Sequence, residues 1–492
     1  MSKHVIVVGS GNAALCAALA ALEEGADVLI LEKADAELAG GNTKYTAGAM
    51  RFAYDGPADL MPLIRDRADP RLARTRFGSY PKAQFAEDLL GFNDGRPLSP
   101  EQTRLVEHSL DTLHWLARHD VTFEPIWSRQ SFERDGEIVF WGGLALAARN
   151  EGVGLFEMEL ATVKRLGGRL RCGAGVTGLV TEGDWVTGGR VGDETLTADA
   201  VVLACGGFEA DPELRARWMG GNWRNAKVRG TPHNTGDGLR MALDIGAARH
   251  GLYEGCHATP MDLHMADFGG LHLPPSERKN FRKICYFLGV MLNADGARFV
   301  DEGKTFRNYT YAQFGRAVLD QPGHFAWQIF DAKVDPLLYG EYHFEEAHFV
   351  EADSLVGLCA KLEGVDQLAA LATLNAFNAA VDRETPFDPT VLDGKSAPGL
   401  PVPRSNWAQV LDTPPFRAYP VTGGITFTYG GLAVSDRGAV LREDGREIDG
   451  LYACGEMVGG VFYEGYPGGS GLTSGAIFGR LAGGSAGRAA RP

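Results

Sequence analysis

VIVVGSGNAALCAALAALEEGADVLILEK, residues Val5 to Lys33, opens with an unbroken apolar run, passes through two glycines and continues into an alanine-rich segment. The run Val5–Val8 reads as a buried strand, and Ala13 to Leu22 as a helix that packs closely on a sheet. Gly9 permits a tight turn between them. Gly11 lets backbone approach a ligand, and Ala14 stands where a third glycine usually allows close helix–strand packing. The free N–H groups and positive dipole end of such a helix favour a pyrophosphate without any basic side chain. A second strand, Val28 to Leu31, ends in Glu32, whose carboxylate suits the two hydroxyls of an adenosine ribose and disfavours a 2′-phosphate. Strand, glycines, helix, second strand and acid in this order indicate a dinucleotide, which at this point is either NAD or FAD.

The surrounding chain narrows the class. Its 492 residues exceed one ordinary core and predict two or three domains. No run of about 18 apolar residues suggests a membrane span, and no basic-then-apolar leader precedes the first strand. Seven cysteines without a CxxC pair give neither a disulfide framework nor a zinc or iron–sulfur pattern, so a reducing cytoplasm is the expected location. A net charge of −15 argues against general nucleic-acid binding. The 65 glycines fall in short clusters between apolar strands, as backbone-approach sites would. PFDPTVLDGKSAPGLPVP, Pro386 to Pro403, is the clearest proline-rich connection and the expected domain border.

Further segments select the cofactor. AGGNTKYTAGAM, Ala39 to Met50, resembles the GGNS-type turn and small-residue stretch that wrap the flavin in the fumarate reductase/succinate dehydrogenase flavoprotein superfamily, with Ala49 in place of a glycine. AVVLACGGFEAD (Ala200–Asp211), TGDGLRMALDIGA (Thr235–Ala247), GLYACGEMVGG (Gly450–Gly460) and GSGLTSGAIFGRLAG (Gly469–Gly483) continue the resemblance in the family's order. It implies FAD, held non-covalently, in a Rossmann-like (GR2-type) α/β domain with an inserted α+β capping domain. The implied borders are 1–254 and 415–492 for the two parts of the FAD domain and 255–414 for the cap. The resemblance assigns to the cofactor Gly9, Gly11, Asn12 and Ala13 of the first turn, and Glu32 and Lys33 after the second strand. It adds Gly41, Asn42, Thr43, Ala47 and Gly48, then Gly206, Asp237 as a helix cap, and Gly455. Glu456 is assigned to flavin-side hydroxyls. Gly471, Leu472 and Thr473 open a helix aimed at the flavin N1/C2 carbonyl, where its dipole stabilises the reduced ring.

The cap segment carries the family's N-x-x-G-x-R-F hairpin within VMLNADGARFVDEGKTFRNYTYAQ, Val290 to Gln313. By the resemblance Arg307, after a one-residue insertion, moves a proton to or from the substrate carbon, and His257 helps to bind a substrate carboxylate. An arginine acts as an acid only in a dry site with a relay, for which Asp301 and Glu302 are the candidates. His257, His264 and His272 fit no usual zinc spacing, so no metal is expected.

Two family residues are replaced. Phe427 in GITFTYGGL takes the place of a carboxylate-binding histidine, and Tyr466 in EGYPGGSG the place of an arginine. Losing both removes hydrogen bonds to a charge worth roughly 1.5–3 kcal/mol each, which disfavours fumarate itself. The ITFT-x-GGL and YPGGSGL variants resemble tricarballylate dehydrogenases instead, with Lys44 and Arg51 as the only cations near the GGNT turn. The expected activity is oxidation or reduction of a C–C bond next to a carboxylate or carbonyl, with electrons exchanged with a partner protein or quinone. One alternative is 3-ketosteroid dehydrogenase-like chemistry, in which Tyr466 polarises a ketone and Phe427, Phe462, Tyr463 and Trp223 wall an apolar substrate. A second is a flavin-binding or electron-carrier subunit without turnover.

Overall fold

The computed structural model describes residues 3–128 and 130–489. The chain divides into two compact units, the first made of 1–219, 230–256 and 427–492, the second of 220–229 and 257–426.

The first unit is built on a mostly parallel sheet. Strand β1 (His4–Val8) lies between β2 (Asp27–Leu31) and Ala200–Leu203, both parallel to it, and Glu447–Ala453 and Arg169–Arg171 extend the sheet on either side. Four of the five β1 residues are buried, as β-branched side chains covered on both faces of a parallel sheet should be. Helix α1 (Asn12–Glu23) follows, starting one residue before the stretch read as helical from sequence. It stops at Gly25, whose φ of 79° suits only glycine and whose N–H returns to the Leu22 carbonyl at 3.0 Å.

The C-terminal helix α2 (Ser470–Arg488) packs directly against α1. A Cβ on Gly479 would lie 2.4 Å from the Ala13 carbonyl oxygen, and one on Gly483 2.0 Å from that of Ala17. Glycines four apart on α2 facing alanines of α1 bring the two backbones together, and the two helix starts with them. Asn12 Nδ2 donates to the Leu472 carbonyl at 2.8 Å across 460 residues of sequence. Helix α2 begins at Ser470, two residues before the expected start.

The second unit is organised around the strand Phe416–Thr428, of which Phe427 and Thr428 belong to the first unit. It pairs antiparallel with Phe325–Phe330, which pairs antiparallel with Val290–Leu292. The helix Gln367–Ala380 packs Leu374 and Phe377 against Trp327, Ile329 and Ala418. Its start is capped by Asp366, which accepts from Leu368 and Ala369 N–H at 3.1 and 3.0 Å. The proline-rich stretch Pro386–Pro403 is not a border. It lies inside this unit, because Ala397, Ala408 and Leu411 are buried in the same core and the Trp407 indole donates to the Val391 carbonyl at 2.9 Å. The sequence border at 414 therefore falls twelve residues before the unit ends at Thr426.

Candidate functional site

In the first unit the turn after β1 has the expected backbone. Gly9 has φ 106° and its Cβ would fall 2.4 Å from the Ala204 carbonyl oxygen, so only glycine fits. Gly11, in extended backbone, is the N-cap of α1 and offers no side chain to it; the Asn12 N–H donates to Thr43 Oγ1 of the GGNT turn at 2.8 Å. Helix α2 has Gly469 as its N-cap, also without a side-chain cap and without an acidic residue in its first turn. Two long helices thus present uncapped N-termini beside one another, the arrangement that suits the anionic and electron-accepting parts of a flavin dinucleotide.

Glu32, expected to bind ribose hydroxyls, is tied into the protein on two sides. It is buried, with Oε1 accepting the Ala34 N–H at 2.7 Å and Oε2 the Ser10 hydroxyl, while Ser10 Oγ accepts the Gly40 N–H at 2.8 Å. An ionised carboxylate has about four lone-pair sites, so two remain for ribose hydroxyls. Glu32→Ala is expected to lower the share of protein purified with FAD. Each lost bond to a charged group costs roughly 1.5–3 kcal/mol, about tenfold or more in affinity, and the Ser10–Gly40 link loosens as well. Unchanged occupancy by absorbance ratio would place the ribose elsewhere.

Asp237 does not cap its helix. Gly236 holds the N-cap position, and the Asp237 carboxylate binds Lys33 Nζ at 2.8 Å and Arg240 Nη2 at 2.6 Å. Burial would raise the Asp237 pKa, but Lys33 and Arg240 hold it below the usual carboxylate range. Lys33, also bonded to Thr235 Oγ1 at 2.8 Å, therefore has a role within the protein. Gly206 (φ 76°), Gly455 (φ 68°) and Gly48 (φ 65°) occupy left-handed backbone. A Cβ there would meet Asn234, Ala13 and Glu151 respectively. Gly41 (φ 51°), Asn42 and Thr43 form one helical turn, and Ala47 follows it half-buried.

Tyr466, Phe427, Phe462 and Tyr429 form an aromatic cluster near the start of α2. Phe427 and Tyr466 rings stand perpendicular at 5.5 Å, Phe462 lies 5.3 Å from Tyr466, and Tyr429 5.4 Å from Phe427. Tyr429, just past the end of the strand and two residues from Phe427, is not marked by the sequence reading. Tyr463 instead carries the Arg96 guanidinium, and Trp223 lies in the second unit under Arg316. Arg51 is fully buried and fastens the YPGG turn through its Nε bond to the Gly468 carbonyl at 2.7 Å, while Lys44 lies over the Phe156 ring.

In the second unit Arg307 opens the short helix Arg307–Thr310 and is only 8% exposed. Its guanidinium lies over the Tyr339 ring at 5.1 Å, and its Nε and Nη2 meet no acceptor among the described residues. The expected relay is not assembled. Glu302 pairs with Arg298 and with Arg404 Nη1 at 3.1 Å, and Asp301 accepts from the Ser405 N–H at 3.1 Å. Phenols surround Arg307 where carboxylates were expected. His257, 1% exposed, meets the Tyr311 ring edge-on at 4.9 Å. Burial, then the charge of Arg229, push its pKa well below the usual histidine range, so the ring is neutral at neutral pH. Arg229 itself, buried at the end of a two-residue strand, has no motif to mark it in the sequence.

Comparison with known proteins bears on these two sites. The family model described as "FAD binding domain" matches residues 4–472. The chain belongs to this family. It is an FAD-dependent oxidoreductase of the fumarate reductase/succinate dehydrogenase superfamily, acting on a CH–CH group. It is 27% identical to a probable fumarate reductase, Ifc3, of Shewanella frigidimarina (strain NCIMB 400), over 99% of this chain and 75% of that protein. It is 29% identical to a 4-oxocyclohexanecarboxylate 2-dehydrogenase of Sinomonas cyclohexanicum, over 97% of this chain and 92% of that one. Among solved structures, the open conformation of a flavocytochrome c3 fumarate reductase superposes with a TM-score of 0.71 at 25% identity, covering 99% of this chain and 78% of that one. These relatives stand against a flavin carrier without turnover. Among the described residues no helix is long and apolar enough to cross a membrane.

Proposed function

We propose that this flavoenzyme oxidises or reduces a carbon–carbon bond next to a carboxylate, on a substrate of the tricarballylate kind. The observation that carries the reading is Arg307, a buried guanidinium with two nitrogens that meet no acceptor and no carboxylate paired to it among the described residues. A buried charge stripped of its partner costs about 3–5 kcal/mol, so such a group favours a ligand that brings negative charge. FAD, held without a covalent bond, supplies the hydride acceptor or donor. In the reductive direction the Arg307 guanidinium gives a proton to the carbon next to the one that receives hydride and is left as neutral guanidine; oxidation runs the same transfer in reverse, from the neutral guanidine. Neutral His257 offers a hydrogen bond to substrate oxygen without adding charge, and Tyr466 holds the activating group.

A second reading, oxidation of an apolar ketone polarised by Tyr466, is favoured by the aromatic cluster around that phenol. The relative named for 4-oxocyclohexanecarboxylate acts on a molecule with both a carboxylate and a ketone, the two groups these readings invoke. Electrons then pass to a partner protein or a quinone, in the cytoplasm, where the free cysteines stay reduced.

Anaerobic bleaching of the bound flavin tests this without knowledge of the acceptor. Saturated di- and tricarboxylates are expected to bleach the visible flavin band. Bleaching by cyclic ketones alone would favour the Tyr466 reading and remove the carboxylate one.

A further inference from the structure

Glu209, from the GGFEAD turn, is completely buried in the first unit. Its Oε1 accepts two amides, Asn42 Nδ2 at 2.7 Å and Asn234 Nδ2 at 2.6 Å. Its Oε2 receives no donor from the described residues, and its carboxyl interacts directly with that of Glu456. Glu456 in turn accepts both the N–H and the hydroxyl of Thr428 on one oxygen, at 2.6 and 2.9 Å. The cation in this neighbourhood is Arg215, with Asp211 beside it, and its Nη1 donates to the backbone carbonyl of Glu209 at 2.5 Å rather than to the carboxylate. Two carboxyl groups in contact, away from water, cannot both be ionised; a hydrogen bond between them requires a proton.

The pair stands where three cofactor segments meet. Asn42 belongs to the GGNT turn and is held at its other end by the Thr231 N–H, which donates to Oδ1 at 2.9 Å. Asn234 sits three residues before the TGDG helix, and Glu456 in the GEM turn. Packing leaves no slack: a Cβ on Gly207 would fall 2.3 Å from Glu456 Oε1, one on Gly230 2.3 Å from Asn42 Oδ1, and one on Gly206 2.3 Å from Asn234 Nδ2.

We propose that Glu209 is a positioning residue for the FAD site: it shares one proton with Glu456, and in that form holds the Asn42 and Asn234 turns in the geometry that receives the cofactor. With one proton between them, Glu209 accepts both amides on Oε1 while its other oxygen meets the Glu456 carboxyl without repulsion, which two ionised carboxylates cannot do. Burial raises the pKa of Glu209, and burial with the charge of Glu209 raises that of Glu456. The folded protein therefore keeps a proton that the unfolded chain releases near the ordinary glutamate value, and it loses stability as pH rises from there toward the pKa of the pair.

The test compares Glu209→Gln, Glu209→Ala and wild type as holoproteins at fixed excess FAD. In Glu209→Gln the amide accepts from both asparagines and donates to Glu456, so FAD retention on gel filtration at neutral pH should stay within severalfold of wild type. Glu209→Ala strands both asparagine amides and should lose FAD at least tenfold more readily. The unfolding equilibrium constant of wild type relative to Glu209→Gln should rise with pH above the ordinary glutamate value, by up to about tenfold per pH unit, one proton's worth. A ratio that does not change with pH, or Glu209→Gln losing FAD as Glu209→Ala does, overturns the proposal in favour of a pair that holds no shared proton.

Discussion

Replacing Arg307 by lysine is expected to slow reduction of the bound flavin by a saturated carboxylate substrate about 10²- to 10⁴-fold, the range that a positioned proton carrier contributes. The charge is kept, so the loss isolates geometry. Lysine is a point charge on a flexible stem and cannot reproduce the planar fork whose Nε and Nη2 are the nitrogens left open. A misplaced donor loses the orientation on which proton transfer depends. FAD occupancy should not change, since Arg307 belongs to the second unit and the dinucleotide turns to the first. Single-turnover bleaching under anaerobic conditions measures the step. A rate within a few-fold of wild type would remove Arg307 from proton transfer and move attention to Tyr466.

Glu302→Ala should instead act on stability, lowering the unfolding free energy by about 3–5 kcal/mol, the cost of stripping a buried ion cluster of its anion. Glu302 is 1% exposed and bonds Arg298 Nε at 3.1 Å, Arg404 Nη1 at 3.1 Å and the Met291 N–H at 2.9 Å. Arg404 is almost fully buried and also binds the Gly289 and Asn406 carbonyls. Removing one carboxylate therefore leaves two guanidinium groups without their counter-ion. Burial works to raise the Glu302 pKa, but Arg298 and Arg404 hold it below the usual range. Its contribution is thus complete above the ordinary glutamate pKa and is lost as pH falls through the lower folded value. Urea unfolding at neutral pH reads the effect. A loss below about 1 kcal/mol with flavin reduction abolished would restore Glu302 to the relay.

The same acid was read from sequence as a partner of Arg307, and the reason it is not one bears on legibility. DEG-x-x-FRN places Asp301, Glu302 and Arg307 within seven residues, yet adjacency along a loop says nothing of direction. Asp301 turns to the exposed Ser405 and Glu302 to the buried Arg404, both about a hundred residues on, because the fold brings those donors to them. Arg229 escapes for the converse reason, since no motif marks it, and Tyr429 stands at the variable position of ITFT-x-GGL, where only the fold shows that its ring joins Phe427 and Phe462. Lys33 and Asp237 were both marked in the sequence, but their mutual ion pair was not.

By itself the sequence determined what depends on local backbone: a buried parallel strand, a glycine at φ 106° that no other residue can occupy, an alanine-rich helix, an acid after the second strand, and the succession of flavin-type turns. These are written in consecutive residues, because turn geometry and helix dipoles are properties of short segments. Only the tertiary structure decided which distant groups meet. Asn12 reaches Leu472, Arg51 holds the Gly468 carbonyl, Glu209 gathers Asn42, Asn234 and Glu456, and the second unit continues through the strand Phe416–Thr428 up to Thr426. Such contacts follow from sheet order and close packing over hundreds of residues, and a charge finds its partner only after the fold has excluded water between them.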